Sequence, residues 1–186
     1  FCGSSISSIY ENGVLSDVQT RTDAGSQLGD PYKMHALDQM DLVAALQEGI
    51  SPSEIISDDY VWVVSTPDNE AIRVDKVDGE WTVLGYSPPA SANATTDFIQ
   101  MDTVNREAAM LSAETNELSE LLCFEAAMYH TNFLYMKTAD GEYLIPYGSH
   151  PDLTDLENGE LYTPQEVSEI LAVSFESGYS ADENAG

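Results

Sequence analysis

The dipeptide Asp78-Gly79 constrains this chain more than any other feature. An Asp-Gly pair between two strand-like runs is the signature of a two-residue hairpin turn. Both positions of such a turn take positive φ, which Asp and Gly tolerate best. The flanking runs fit. Before the turn, Ala71, Arg73, Asp75 and Val77 alternate with Ile72, Val74 and Lys76, so one face can be apolar and the other wet. After it, residues 80–86 (EWTVLGY) are rich in β-branched and aromatic side chains. Residues 60–64 (YVWVV) form an earlier run, separated from the hairpin by the turn signal Pro67-Asp68-Asn69. The three runs predict an antiparallel meander. A second hairpin is predicted where residues 133–137 and 142–147 flank Ala139-Asp140-Gly141.

Helical spacing marks other segments. Leu37, Met40, Val43, Ala44 and Leu46 predict a helix that stops at Gly49, and Ser51 to Glu54 opens a short helical turn running to Ile56. Val104, Ala108, Leu111, Leu118, Leu122 and Tyr129 predict a long core helix over 103–129, divisible at Asn116. At the C-terminal end Thr163 is the expected N-cap, Pro164 the first helical residue and Glu166 the partner that closes a capping box. Val167, Ile170 and Leu171, with Ser174 or Phe175, make that helix's apolar face.

Strands grouped between helices favour an α+β fold: a three-strand meander plus a hairpin, antiparallel, packed against the long central helix and the C-terminal helix. This element order resembles the cystatin-like and NTF2-like domains of exported bacterial proteins. The expected organisation is a tether over 1–32 with a short strand near Ser5–Tyr10, one α+β domain over 33–176, and a frayed tail over 177–186.

Charge decides which partners are excluded. The chain carries 33 Asp and Glu against 6 Lys and Arg, a formal net charge of −27. Nucleic-acid binding depends on basic side chains neutralising phosphates, so a general nucleic-acid function is excluded. Anionic membrane surfaces repel such a chain as well. A solubility role, a cationic ligand such as Ca²⁺, a basic protein partner or a salty environment fits the balance. The asymmetry is local too: no Lys or Arg follows Lys137, while acidic residues continue from Asp140 to Glu183. No apolar run approaches the ~18–20 residues of a transmembrane helix.

The chain begins at Phe1, without an initiator Met, as a processed chain would. The start Cys2-Gly3-Ser4-Ser5, followed by a Ser-rich stretch, resembles the mature N-terminus of bacterial lipoproteins, although Phe1 stands where that family has a small residue. The resemblance implies an exported protein, extracytoplasmic on the cell surface or secreted, with a lipid tether at Cys2. Cys2 and Cys123 are the only cysteines. In an oxidising compartment they can form a disulfide; otherwise Cys123, in the run Leu121–Phe124, is a buried thiol.

Four constellations carry possible chemistry. Asp152, Asp155, Glu157, Asn158 and Glu160 place hard oxygen donors close together, as Ca²⁺ requires, but without EF-hand spacing. His35, His130 and His150 have no nearby partners at zinc-site spacing, and His130 is expected at a helix end. No Ser stands in a Gly-x-Ser-x-Gly elbow. Tyr135, Tyr143, Tyr147 and Tyr162 cluster around the second hairpin and the loop after it, as a binding surface or as half-buried sheet residues. Asn93-Ala94-Thr95 is a glycosylation sequon by pattern alone. The sequence therefore points to a non-enzymatic extracytoplasmic binding domain without a bound cofactor. Its rivals are a small carboxylate-dependent hydrolase or isomerase with a sheet–helix pocket, and a calcium-binding surface protein.

Overall fold

The structure, a computed structural model, describes residues 32–38, 41–65, 71–87, 118–149 and 152–182. Its strands are β1 (Tyr32–Leu37), β2 (Ile56–Ser65), β3 (Ala71–Val77), β4 (Glu80–Ser87), β5 (Leu118–Ala126), β6 (Thr131–Thr138) and β7 (Gly141–Tyr147). The helices are α1 (Leu42–Gln47), α2 (Pro52–Ile55) and α3 (Pro164–Asp182), with a 3-10 turn at Ala127–Tyr129. The strands form a seven-stranded sheet in the order β4-β3-β2-β1-β5-β6-β7. Every pairing is antiparallel except β1 with β5, where Met34 lies beside Cys123 and His35 beside Phe124. Two antiparallel runs are thus joined through one parallel seam.

Both predicted hairpins form. Asp78 and Gly79 have φ of 54° and 87°, as the tight turn between β3 and β4 demands. Thr138 pairs with Gly141 across the second turn. At α3 the capping box closes: the Thr163 amide donates to Glu166 Oε2 at 2.7 Å, and the Glu166 amide donates to Thr163 Oγ1 at 3.3 Å.

The expected architecture is overturned at the centre. The sheet is mixed and larger than a meander plus a hairpin, and no long helix over 103–129 packs against it. Residues 118–126 are β5, and only Ala127–Tyr129 make a helical turn; residues 103–117 lie outside the described residues. The reason is burial on both faces. Leu121 and Cys123 belong to the core on one side of the sheet, Leu122 and Phe124 to the core on the other. A strand buried on both faces reads as a continuous apolar run, which periodicity alone does not separate from a helix. Leu, Glu and Ala are good helix formers, but propensity is a small term per residue, and ladders to β1 and β6 outweigh it. The cystatin-like and NTF2-like resemblance falls with the long helix. Leu37 likewise ends a strand, β1, instead of opening the helix that its spacing predicts, and that helix begins only at Leu42. The backbone of α3 stays helical to Asp182, past the expected start of a frayed tail. Of the expected tether over 1–32 only Tyr32 is described, as the first residue of β1; the rest of it, with the strand expected near Ser5–Tyr10, lies outside the described residues.

The sheet separates two apolar clusters. One holds Phe124, Phe133, Tyr135 and Leu144 from the sheet with Leu42, Ala45 and Leu46 of α1, Ile55 of α2, and Val167 and Leu171 of α3. Phe124 and Phe133 stack there at 5.3 Å between ring centroids. The other, on the opposite face, holds Tyr32, Met34, Val63, Cys123, Leu134, Met136, Ile145 and Tyr147. Among the described residues no helix is long and apolar enough to cross a membrane.

Candidate functional site

β1 and β2 build an aromatic and cationic row on one face of the sheet. Tyr32 and Met34 point into the core opposite the helices, so the alternating residues Lys33 and His35 point to the helix-bearing side. Antiparallel register sets Lys33 beside Trp62 and His35 beside Tyr60. The Lys33 ammonium sits 4.3 Å from the Tyr60 ring centroid and 5.6 Å from that of Trp62. Both distances lie within cation–π range. Tyr60 and Trp62 meet edge to face at 5.9 Å, and the His35 ring lies 5.5 Å from Tyr60. His35 Nδ1–H donates to the Ser57 carbonyl at 2.8 Å, which fixes that proton and leaves Nε2 for another partner. Trp62 is buried but Tyr60 is 37% exposed, so the row reaches solvent at Tyr60. Asp58 and Asp59 are exposed on the same strand.

A carboxylate cluster forms where α2 meets the second hairpin. Ser51, the N-cap of α2, donates to Glu142 Oε1 at 2.5 Å, and the Tyr135 hydroxyl donates to the same oxygen at 2.7 Å. Ser51 and Ser53 are 2.9 Å apart through their hydroxyls, and Lys137 Nζ stands 3.7 Å from Glu142 Oε1. Burial pushes the Tyr135 phenol well above its ordinary pKa, the bond to Glu142 adds to this, and Ser53 and Ser51 offset part of it. For Glu142 burial acts upward too, but the bonds from Ser51 and Tyr135 and the Lys137 charge outweigh it, so its pKa lies below the ordinary carboxylate value. The proton is locked on Tyr135 and the charge on Glu142. The shared oxygen of Glu142 thus ties Ser51 at the start of α2 to Tyr135 of β6.

A second charged pair crosses the opposite face. Arg73 of β3 donates to Glu125 of β5 through both guanidinium nitrogens, each bond 2.9 Å. Its pKa is raised, first by the Glu125 hydrogen bond, against the lowering effect of burial. Register places Arg73 level with Tyr32 through Val63, and Glu125 one residue past Phe124, the neighbour of His35. In a flat sheet their Cα atoms would be about 19 Å apart, from ~4.8 Å between strands and ~3.3 Å rise per residue. Extended Arg and Glu side chains cannot bridge that. The sheet must therefore coil until this diagonal becomes concave, and the ion pair straps the concavity.

The predicted constellations are dispersed. Asp152, Asp155, Glu157 and Glu160 are exposed, while Thr154 and Leu156 between them are buried. Asn158 is engaged elsewhere: its side chain accepts from the Ser149 amide at 2.9 Å and donates to the Ser149 carbonyl at 3.0 Å. No group of three or more His, Cys, Asp or Glu is gathered for a metal ion among the described residues. Of the four tyrosines, Tyr135 lies in the helix-side core, Tyr143 and Tyr147 on the opposite side. Tyr162 bridges to Leu144, and its hydroxyl accepts from the Glu157 amide. They form no common surface. Cys123 is fully buried in β5, and Cys2 lies outside the described residues, as do His150 and Asn93. His130 follows the 3-10 turn at a left-handed φ of 50°, exposed. The sequence reading missed the Lys33–Tyr60–Trp62 row. The alternation in residues 32–35 and the aromatics at i and i+2 on β2 were the available signals.

Comparison with protein-family models, curated proteins and solved structures returned no match.

Proposed function

We propose that this protein is a non-enzymatic interaction domain working outside the cytoplasm, and that the Lys33–His35–Tyr60–Trp62 row is its primary contact surface. The row supports this reading because it combines a half-exposed aromatic, a nearby cation and an imidazole nitrogen on a rigid pair of strands. Aromatic anchors on rigid elements are the usual energetic centres of recognition surfaces. The Glu142 cluster, by contrast, ties α2 to the second hairpin through the bonds from Ser51 and Tyr135. The acidic balance supports the extracytoplasmic placement, because acidic side chains keep an exported protein soluble.

The test is a photo-crosslinking amino acid at position 60 of the full chain in its native cells, with compartment fractionation. An extracytoplasmic partner captured from position 60 but not from exposed position 173 on α3 is the expected result. Capture confined to cytoplasmic proteins, or equal capture from both positions, overturns the proposal.

A further inference from the structure

The two edges of the sheet are treated differently. In a two-residue hairpin the closing pair exchanges both backbone bonds, so alternate residues outward from it turn their backbone groups away from the partner strand. On β7, counted from Thr138–Gly141, the outward residues are Glu142, Leu144 and Pro146. The chain seals this edge itself. The Leu144 amide donates to the Tyr162 carbonyl at 2.8 Å, the Tyr162 amide donates back at 2.9 Å, and the Gly159 amide donates to the Pro146 carbonyl at 2.9 Å. Proline at 146 has no N–H to offer a stranger.

On β4, counted from Val77–Glu80, the outward residues include Trp81 and Val83. No described strand lies beyond them. β4 is eight residues long and has one charged residue, Glu80, and no proline. Leu84 is 50% exposed, and a Cβ added at Gly85 would meet nothing within 4 Å. Natural edges are blunted by charge, proline, shortness or a covering segment. β4 has the single charge of Glu80 and a bulge opposite Arg73 and Val74, and otherwise stays long, free of proline and open among the described residues. A second copy is disfavoured as its occupant, because each copy brings a net charge of −27.

We infer that the outer edge of β4 accepts an extended basic segment of a partner protein as an added strand. This rests on the interaction-domain reading and gives the partner a chemistry. Main-chain bonds to β4 supply affinity, Leu84 meets apolar side chains, and Glu80 together with the chain's net charge of −27 attracts alternating Lys or Arg.

The experiment uses the full chain and a fluorescent peptide of alternating Val and Lys, read by anisotropy and by amide exchange. Binding is expected, weakened by salt, with new protection at the Trp81 and Val83 amides. Val83→Pro is expected to weaken it about tenfold, the worth of one or two main-chain bonds. Leu84→Lys is the second variant, for use if the proline variant unfolds. A matched Val–Glu peptide that binds equally, protection elsewhere, or variants with unchanged affinity overturn the inference. So does a dimer that Val83→Pro dissociates. Capture from position 60 is independent of β4, so its success with peptide failure overturns the edge alone, and its failure with peptide success overturns the row alone.

Discussion

Glu142→Gln removes a charge while keeping the shape of the side chain, and its cost can be worked from the geometry. Glu142 accepts from Ser51 and Tyr135 at 2.5 and 2.7 Å, and its side chain is 24% exposed. Hydrogen bonds to an ionised acceptor are roughly twice as strong as neutral ones, so each bond loses about 1 kcal/mol. Discounting for the exposed fraction leaves a total of about 1–2 kcal/mol. For a chain of this size that lowers Tm by about 3–6 °C. The pH dependence is the sharper test. The folded pKa of Glu142 is depressed, so its contribution is present above the ordinary value of 4.5 and is lost as pH falls through the folded value. Many other carboxylates titrate in that window, and the difference between wild type and variant cancels them. Thermal melts in steps from pH 7 downward at constant ionic strength should therefore show a gap that closes below pH 4.5. A gap that persists unchanged below that pH, or no gap at neutrality, would refute the account of Glu142 as a charged anchor for α2.

Three further outcomes are expected. In a double-mutant cycle on Arg73→Met and Glu125→Met, each single change should destabilise by about 1–2 kcal/mol and the pair should cost less than their sum; urea unfolding measures this, and additivity would deny the strap. Tyr129 donates to Asp41 Oδ1 at 2.9 Å, and burial followed by that bond raises its pKa to about 12, so absorbance titration should show a tyrosine ionising near that value that Tyr129→Phe removes. Because the folded pKa is raised, its contribution is full below the ordinary value of 10 and lost as pH rises through about 12, and Tyr129→Phe should abolish that part of the alkaline destabilisation. Asp41 also caps α1 by accepting from the Ala44 amide at 3.0 Å, so Asp41→Ala should cost about 1–2 kcal/mol in chemical denaturation, with Asp41→Asn recovering most of it.

The parts legible in the sequence were those fixed by local chemistry. Asp78-Gly79 could make only a tight turn, and Thr163, Pro164 and Glu166 specified a helix start with no tertiary help. What escaped was set by long-range pairing. Leu118–Ala126 satisfies a helical count and an alternating count together, and only β1 and β6 on its two sides choose between them. Lys33 looks like an ordinary surface cation until β2 brings Tyr60 and Trp62 beside it. Glu142 is joined by Ser51, 91 residues away, and Arg73 finds Glu125 at a separation of 52. No periodicity records such meetings.

That pairing changes the meaning of the charge balance. Lys33 lies over two rings, Arg73 is held in two bonds to Glu125, and Lys137 stands beside Glu142. Most basic side chains of the described residues are thus drawn into the protein's own contacts, while Asp152, Asp155, Glu157 and Glu160 stay exposed. Each ion pair removes one charge of each sign, so the field seen by an approaching partner keeps the full net charge of −27. Salt screens such a field within about 8–10 Å. Association with a basic partner should then slow steeply as salt rises, while dissociation, governed by main-chain bonds at β4, changes little. Stopped-flow mixing with the Val–Lys peptide separates the two rates. A salt effect confined to dissociation would place the charge inside the contact instead of around it, and would contradict an edge held by main-chain bonds on a net acidic chain.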